Sequence, residues 1–206
     1  MAGFYERRLF NPLMDFALRQ PRFHGLREHL LADLADSPLE IGPGTGLNFP
    51  HYPSRVRSVR VVAREPELDP RAVERARQHG LTVEHLVASA NHLPLADESE
   101  QDLVCTFVLC SVSDPDATLA EFHRVLRPGG RLHLLEHTLS PRPFEAFVQH
   151  TLTPVQRFVA CGCELDRDLR SSASRAGFDV TALTSAPSPA LIFPASELLS
   201  GFALRR

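Results

Sequence analysis

Short apolar runs alternate along this chain with segments whose apolar residues recur every three to four positions. The runs occupy residues 38–41, 59–62, 81–87, 103–109 and 132–135. Residues 71–80 read as a helix ended by Gly80, and residues 116–126 as a helix ended by Arg127-Pro128-Gly129-Gly130. Strands alternating with helices predict a parallel sheet joined by right-handed crossovers. Ahead of the first run, Phe10, Leu13, Met14 and Phe16, then Leu26, His29, Leu30 and Leu34, mark two helices separated by Pro21. Behind the last run, residues 144–159 and 165–176 read as helices, and residues 178–183 and 201–204 as strands closing the sheet along an antiparallel edge. The expected fold is therefore α/β and Rossmann-like: a mainly parallel seven-stranded sheet with helices on both faces and an antiparallel C-terminal strand. One domain is expected over 1–206, with a helical lid at 1–36, a core at 37–137, and pocket helices with a hairpin at 138–206.

Composition narrows the setting more than the chemistry. The 206 residues are 43% hydrophobic and 23% charged, enough apolar material for a core and no signature of disorder. The formal charge is −3 and no Lys occurs, a poor balance for gripping a phosphate backbone, so no nucleic-acid partner is expected. Charged residues or Pro interrupt every apolar stretch before it could span a bilayer. Cys105, Cys110, Cys161 and Cys163 form no disulfide framework, and no secretory leader is visible, so a cytoplasmic setting is expected.

The first apolar run leads into Glu40-Ile41-Gly42-Pro43-Gly44-Thr45-Gly46. Three glycines at alternate positions let a ligand approach the main chain where a Cβ would obstruct it. Such a turn also serves simply to join a strand to a helix. A dinucleotide fingerprint would want G-x-G-x-x-G; here the third Gly is Gly46 and Leu47 follows, so the spacing favours another adenosine cofactor over NAD. Glu65 lies twenty-one residues beyond Gly44, after the second run, where an acceptor-only carboxylate can take hydrogen bonds from two ribose hydroxyls. Pro66 then turns the chain away.

Taken in order, residues 39–46, Arg64-Glu65-Pro66, residues 88–94, 102–112, 124–130 and 134–137 resemble the class I S-adenosylmethionine-dependent methyltransferases, in particular those of the ubiquinone/menaquinone-biosynthesis type. Thr106-Phe107-Val108-Leu109-Cys110-Ser111-Val112, the Arg-Pro-Gly-Gly turn, Glu136-His137 and Gly162-Cys163-Glu164-Leu165-Asp166-Arg167 are similar to the branch that contains animal alkyl-thiol S-methyltransferases. The resemblance implies S-adenosyl-L-methionine as cofactor. It implies that Glu40 orients the cofactor's amino-acid end and that Gly42, Gly44 and Gly46 pass beneath it. Glu65 with Pro66 would hold the ribose, and Ser89, Ala90, Asn91 and Phe107 would complete the site. Relatives often carry Asp where Ser89 stands, to receive the adenine amino group. The Ser89 hydroxyl and the Asn91 amide can still accept a hydrogen bond.

Methyl transfer is an in-line displacement that requires alignment and exclusion of water, and no metal. His137 follows the fifth run, where the carboxyl ends of parallel strands surround a ligand crevice, and is the candidate to polarise or deprotonate the acceptor; a structural role beneath a loop is equally open. His24, His51 and Cys110 read first as structural residues, and Phe4 and Tyr5 as lid aromatics. Cys161-Gly162-Cys163 lacks zinc-knuckle spacing and has no matching second pair, so no metal site is expected. The acceptor is read as a small molecule, first a thiol. The alternatives are O- or C-methylation of an aromatic or quinone-like compound, or a module that binds the cofactor without turnover.

Overall fold

The structure, a computed structural model, describes residues 6–188, 191 and 197–206. Helices α1 (Asn11–Leu18) and α2 (Pro21–Leu31) precede β1 (Leu39–Ile41), β2 (Ser58–Ala63), α3 (Pro70–Gln78), β3 (Thr82–Val87), β4 (Glu100–Thr106), α4 (Pro115–Val125) and β5 (Leu126–His137). Then follow α5 (Pro143–Val159), α6 (Leu169–Arg175), β6 (Phe178–Asp179), β7 (Leu183–Pro187) and β8 (Glu197–Arg205). The strands form one sheet in the order β3-β2-β1-β4-β5-β8-β6, with β7 also paired to β8. Strands β1 to β5 run parallel, and β8 is antiparallel to β5, β6 and β7.

Alternation along the central strands assigns each side chain to one of two apolar layers. Leu103, Cys105, Leu132 and Leu134 join Leu119 and Phe122 of α4 and Leu169 of α6 on one face. Val104 and Leu135 join Phe23, Leu30 and Leu31 of α2 and Ala72 and Ala76 of α3 on the other. The crossover helices begin where a carboxylate caps free N–H groups ahead of a Pro that is already set for helix. Asp69 accepts from Arg71 N at 2.9 Å before Pro70, and Asp114 accepts from Ala117 N at 2.9 Å before Pro115. Asp168 caps α6 in the same way through Ser171 N at 3.0 Å, which moves the start of that helix from the expected residue 165 to Leu169.

The strand count is eight, not seven, because the expected strand at 178–183 is broken by a bulge. Residues 180–182 oppose only Phe202 and Ala203 of β8, so the pairing slips by one residue between β6 and β7. Gly201, at φ +121°, permits it: a Cβ there would lie 2.3 Å from the Ala182 carbonyl oxygen. The Arg-Pro-Gly-Gly turn is a larger irregularity of the same kind. It lies inside β5, between the Glu100–Leu126 and Asp102–Arg131 pairs, and Gly130 has no room for a Cβ beside Arg127 O and Gln101 O. Strand β4 ends at Thr106, short of the expected residue 109, because Phe107 takes a left-handed φ of +56° and turns the chain. No helix among the described residues is long and apolar enough to cross a membrane.

A buried polar cluster ties α2 and the segment after it to the sheet, with His133 Nδ1 lying 3.0 Å from Leu30 O. Asp102 accepts from Arg131 Nε at 2.8 Å, His133 Nε2 at 2.9 Å and Ala35 N at 2.6 Å. Burial alone would raise this carboxyl, but the bonds from His133, Arg131 and the Ala35 amide prevail and hold it down at about 2. A lowered folded-state value means that the stabilisation is complete above the ordinary 3.8 and is lost as pH falls through about 2. Asp102→Ala, which leaves Arg131 and His133 without their carboxylate, is expected to cost about 3–5 kcal/mol in urea unfolding at neutral pH and to abolish this acid-side loss. A cost below 1 kcal/mol would show that the cluster does not hold α2 in place.

Candidate active site

At the carboxyl ends of β1, β2 and β4 lies a cavity of about 920 Å³, lined by Gly42, Pro43 and Gly44, by Glu65 and Pro66, by Ser89, Ala90 and Asn91, and by Phe107. A second cavity of about 260 Å³ adjoins it through the shared residues Gly44, Phe107, Phe10 and Ser111. Its remaining wall includes Met14 and Asp15 of α1, Arg27 of α2, Gln156 of α5, and Cys110, His137 and Cys163. Asp15 is not free: Arg75 Nη1 donates to it at 2.7 Å and to Thr45 O, clamping α1 onto α3 and the glycine turn.

The three glycines do different work. All have positive φ, but only Gly42 and Gly44 line the larger cavity, and Gly44 has nothing within 4 Å of where a Cβ would stand. Gly46 instead admits α3 and Phe49: a Cβ would come within 2.9 Å of Ala72 Cα and of the Phe49 ring. Glu40 also departs from expectation. Its buried carboxylate lies outside both cavity linings and accepts from Asn48 Nδ2 at 2.8 Å and from the Tyr52 hydroxyl. Burial lifts this carboxyl to about 7 against the opposing pull of Tyr52, Asn48 and Arg27. Asn48 spends its other N–H on Thr106 Oγ1 at 3.0 Å and its carbonyl on Arg27 Nε at 3.1 Å. Arg27 and Asn48 both line the smaller cavity, so Glu40 reaches it only through them.

Glu65, half-buried, is engaged by no hydrogen bond of the protein among the described residues and faces the larger cavity. Ser89 Oγ donates to Asn91 Oδ1 at 2.6 Å, which orients both groups on the cavity wall. Phe107 stands between the cavities, edge-on to Phe23 at 5.9 Å and to His137 at 5.2 Å between ring centroids.

The turn that carries Phe107 is held by Glu136, to which sequence reasoning assigned no role. This fully buried carboxylate accepts from Val108 N at 2.7 Å, Leu109 N at 2.9 Å and Cys110 N at 3.3 Å. Burial pushes the carboxyl up, and those three amides offset part of the rise. The signal available in the sequence was a lone acidic residue inside the apolar run Leu132-His133-Leu134-Leu135-Glu136. Residues 162–167 fold back onto the same turn. Glu164 N donates to Cys110 O at 2.8 Å, while Arg167 donates to Leu109 O and, at 3.0 Å, to Glu164.

This packing brings Cys110, His137 and Cys163 together: one donor atom from each lies within 4.8 Å of the others. Cys163 Sγ is 3.6 Å from His137 Nδ1, and His137 Nε2 is buried without a hydrogen-bond partner among the described residues. Hydrogen bonding between the two thiols raises Cys110 and lowers Cys163. Cys110, expected as a packing residue, is thus both buried and part of the cavity wall. His24 and His51, with rings 5.0 Å apart, line neither cavity. Phe4 and Tyr5 lie outside the described residues.

Comparison with known proteins agrees with this geometry. Residues 39–134 match the family described as a methyltransferase domain. Thiol S-methyltransferase TMT1B of Rattus norvegicus is 34% identical over 81% of this chain and 70% of its own length. The ubiquinone/menaquinone biosynthesis C-methyltransferase UbiE of Rubrivivax gelatinosus is 32% identical over 71% of this chain and 58% of its own. The structure of Burkholderia thailandensis 1,6-didemethyltoxoflavin-N1-methyltransferase, with 1,6-didemethyltoxoflavin and S-adenosylhomocysteine bound, shares the fold at a TM-score of 0.64 and 18% identity over 94% of this chain and 80% of that one. The glycine turn, the parallel core and these relatives lead to one conclusion: the chain belongs to the class I S-adenosylmethionine-dependent methyltransferases, and S-adenosylmethionine is its cofactor.

Proposed function

We propose that this enzyme methylates the sulfur of a small thiol held in the smaller cavity, with the cofactor in the larger one. The observation that carries the proposal is the cavity itself. At about 260 Å³ it is small, it borders the glycine turn, and its wall carries two thiols and an imidazole, while its one lining carboxylate, Asp15, is engaged by Arg75. The 34% identity to a protein named as a thiol S-methyltransferase supports the same choice.

The residues of the larger cavity fit the cofactor. Gly44 offers bare main chain, and the Glu65 carboxylate, unengaged among the described residues, is an acceptor that can take two hydroxyls. In this reading Gly42 and Gly44 pass beneath the amino-acid end, with Gly46 and Glu40 fixing the turn from behind. Glu65 and Pro66 hold the ribose, and Ser89, Ala90 and Asn91 flank the adenine. When bound, the cofactor supplies an electrophilic methyl group on a sulfonium.

The chain's own contribution is alignment and exclusion of water. Phe107 and the clamped α1 wall the junction between the cavities, and alignment is worth about 7–11 kcal/mol. His137 polarises the acceptor or takes its proton. An unperturbed thiol is only about 3% ionised at pH 7, so such help is useful. The N-terminal helices and residues 138–165 shape the acceptor pocket. Four free thiols suit a reducing compartment, which supports a cytoplasmic setting.

The similarity to a quinone C-methyltransferase favours a second acceptor class, a phenol or quinol. Labelled cofactor offered to alkyl thiols, phenols and quinols decides between them. Label appearing in thioethers supports the proposal; label confined to aromatic products overturns it; cofactor binding with no transfer to any acceptor indicates a binding module. In calorimetry, Glu65→Ala is expected to weaken S-adenosylhomocysteine binding roughly 10–100-fold, as for loss of a charged hydrogen-bond acceptor. An unchanged affinity would remove Glu65 from the site. Ser89→Asp, which adds a carboxylate beside the proposed adenine position, is expected to tighten binding up to about tenfold. Weaker binding would place the adenine elsewhere.

A further inference from the structure

We propose that Cys110, His137 and Cys163 form a zinc site whose open coordination position takes the acceptor's thiolate. Two thiolates and an imidazole are a donor set for zinc and not for magnesium or calcium, and three protein ligands with one open position is the arrangement of a catalytic site. With ordinary zinc bond lengths, neighbouring donors around a tetrahedral ion stand about 3.5–3.8 Å apart. Cys163 Sγ and His137 Nδ1 are 3.6 Å apart, and all three donors lie within 4.8 Å of one another. The side chains need to close by no more than a small rotation.

The three ligands come from separate segments, each fixed by its own backbone. Cys110 is held by Glu136 at its N–H and by Glu164 N at its carbonyl. His137 pairs with Leu198 at the end of β5, and Cys163 N donates to Ala160 O at 3.1 Å. All three line the smaller cavity, so the fourth position faces the space assigned to the acceptor and adjoins the cofactor cavity.

The metal site stands on these side chains, while the thiolate as fourth ligand rests on the thiol reading above. With zinc bound, His137 acts on the acceptor through the ion and not as a base: on coordination the acceptor thiol loses its proton to solvent. The acceptor sulfur then forms the new S–C bond with its electron pair as the methyl–sulfonium bond breaks, the electrons of that bond remaining on the cofactor's sulfur. The thioether product is neutral and a weaker ligand, so it leaves the ion.

The 206-residue chain, reduced with a phosphine and exposed to excess zinc, is desalted and analysed for metal. One zinc per chain is expected, falling roughly tenfold or more in Cys110→Ala, Cys163→Ala and His137→Gln. Cys161→Ser should retain the metal, which separates the three-segment site from the Cys161-Gly162-Cys163 pair. S-adenosylhomocysteine binding to each variant checks its fold. Cobalt(II) added to the wild-type protein provides a readout that needs no variant: a thiolate-to-cobalt charge-transfer band that shifts when an alkyl thiol is added. Absence of metal and of the band, retention of metal by the ligand variants, or a Cys110–Cys163 disulfide in the reduced protein would overturn the site. Thiol methylation by a metal-free enzyme would defeat the zinc proposal and leave the thiol reading intact. Metal binding with a band that ignores thiols would defeat the thiol acceptor and leave the metal site.

Discussion

A carboxylate buried at the end of β5 organises the reactive end of this molecule. Glu136 accepts hydrogen bonds from three successive amides, Val108, Leu109 and Cys110, and among the described residues those amides have no strand or helix partner to replace it. Isolated burial of a carboxylate is costly, and three N–H donors are what make it tolerable. In return the chain after β4 is forced into a compact turn with Phe107 left-handed at its head, between the two cavities. The next residue along β5, His137, brings its imidazole to within 4.8 Å of the Cys110 thiol. Arg167 and Glu164 then secure the turn from outside and bring Cys163 to the pair.

A second buried network, from Arg27 through Asn48 to Glu40 and Tyr52, plays the complementary part for the cofactor end. It uses every polar atom of the Asn48 side chain, so the segment after the glycine turn has one arrangement open to it. Arg27, Asn48 and Asp15 reach the wall of the smaller cavity with hydrogen bonds already committed to the protein, whereas Glu65 on the larger one has no such bond among the described residues. That division suits a cofactor gripped by its polar groups and an acceptor held by shape.

What could be read from the sequence follows from the range of the forces involved. The parallel strands, the crossover helices and the glycine turn are local patterns of burial and backbone freedom, and they stand close to where the periodicity places them. The bulge at residues 180–182 depends on a close approach to Gly201 across the sheet, so an unbroken run at 178–183 concealed it. Gly46 and Glu40 read as ligand-facing because a motif records which residues are present and not which way they point. The grouping of Cys110, His137 and Cys163 could not be read at all. Neighbouring members are separated by 27 and 26 positions in the sequence, and their meeting depends on the fold of segments 107–110 and 160–167. Glu136 was legible only as an oddity, an acid in an apolar strand.

The central claim is that the cofactor and acceptor cavities meet at Phe107, with the reacting methyl directed toward Cys110, His137 and Cys163. A crystal structure of the enzyme with S-adenosylmethionine, or its nonreactive analogue sinefungin, tests this most directly. The account predicts the ribose against Glu65 and the methyl position opening into the smaller cavity within van der Waals reach of Phe107. A methyl position turned away from that cavity, toward bulk solvent or the β3 edge, would contradict it.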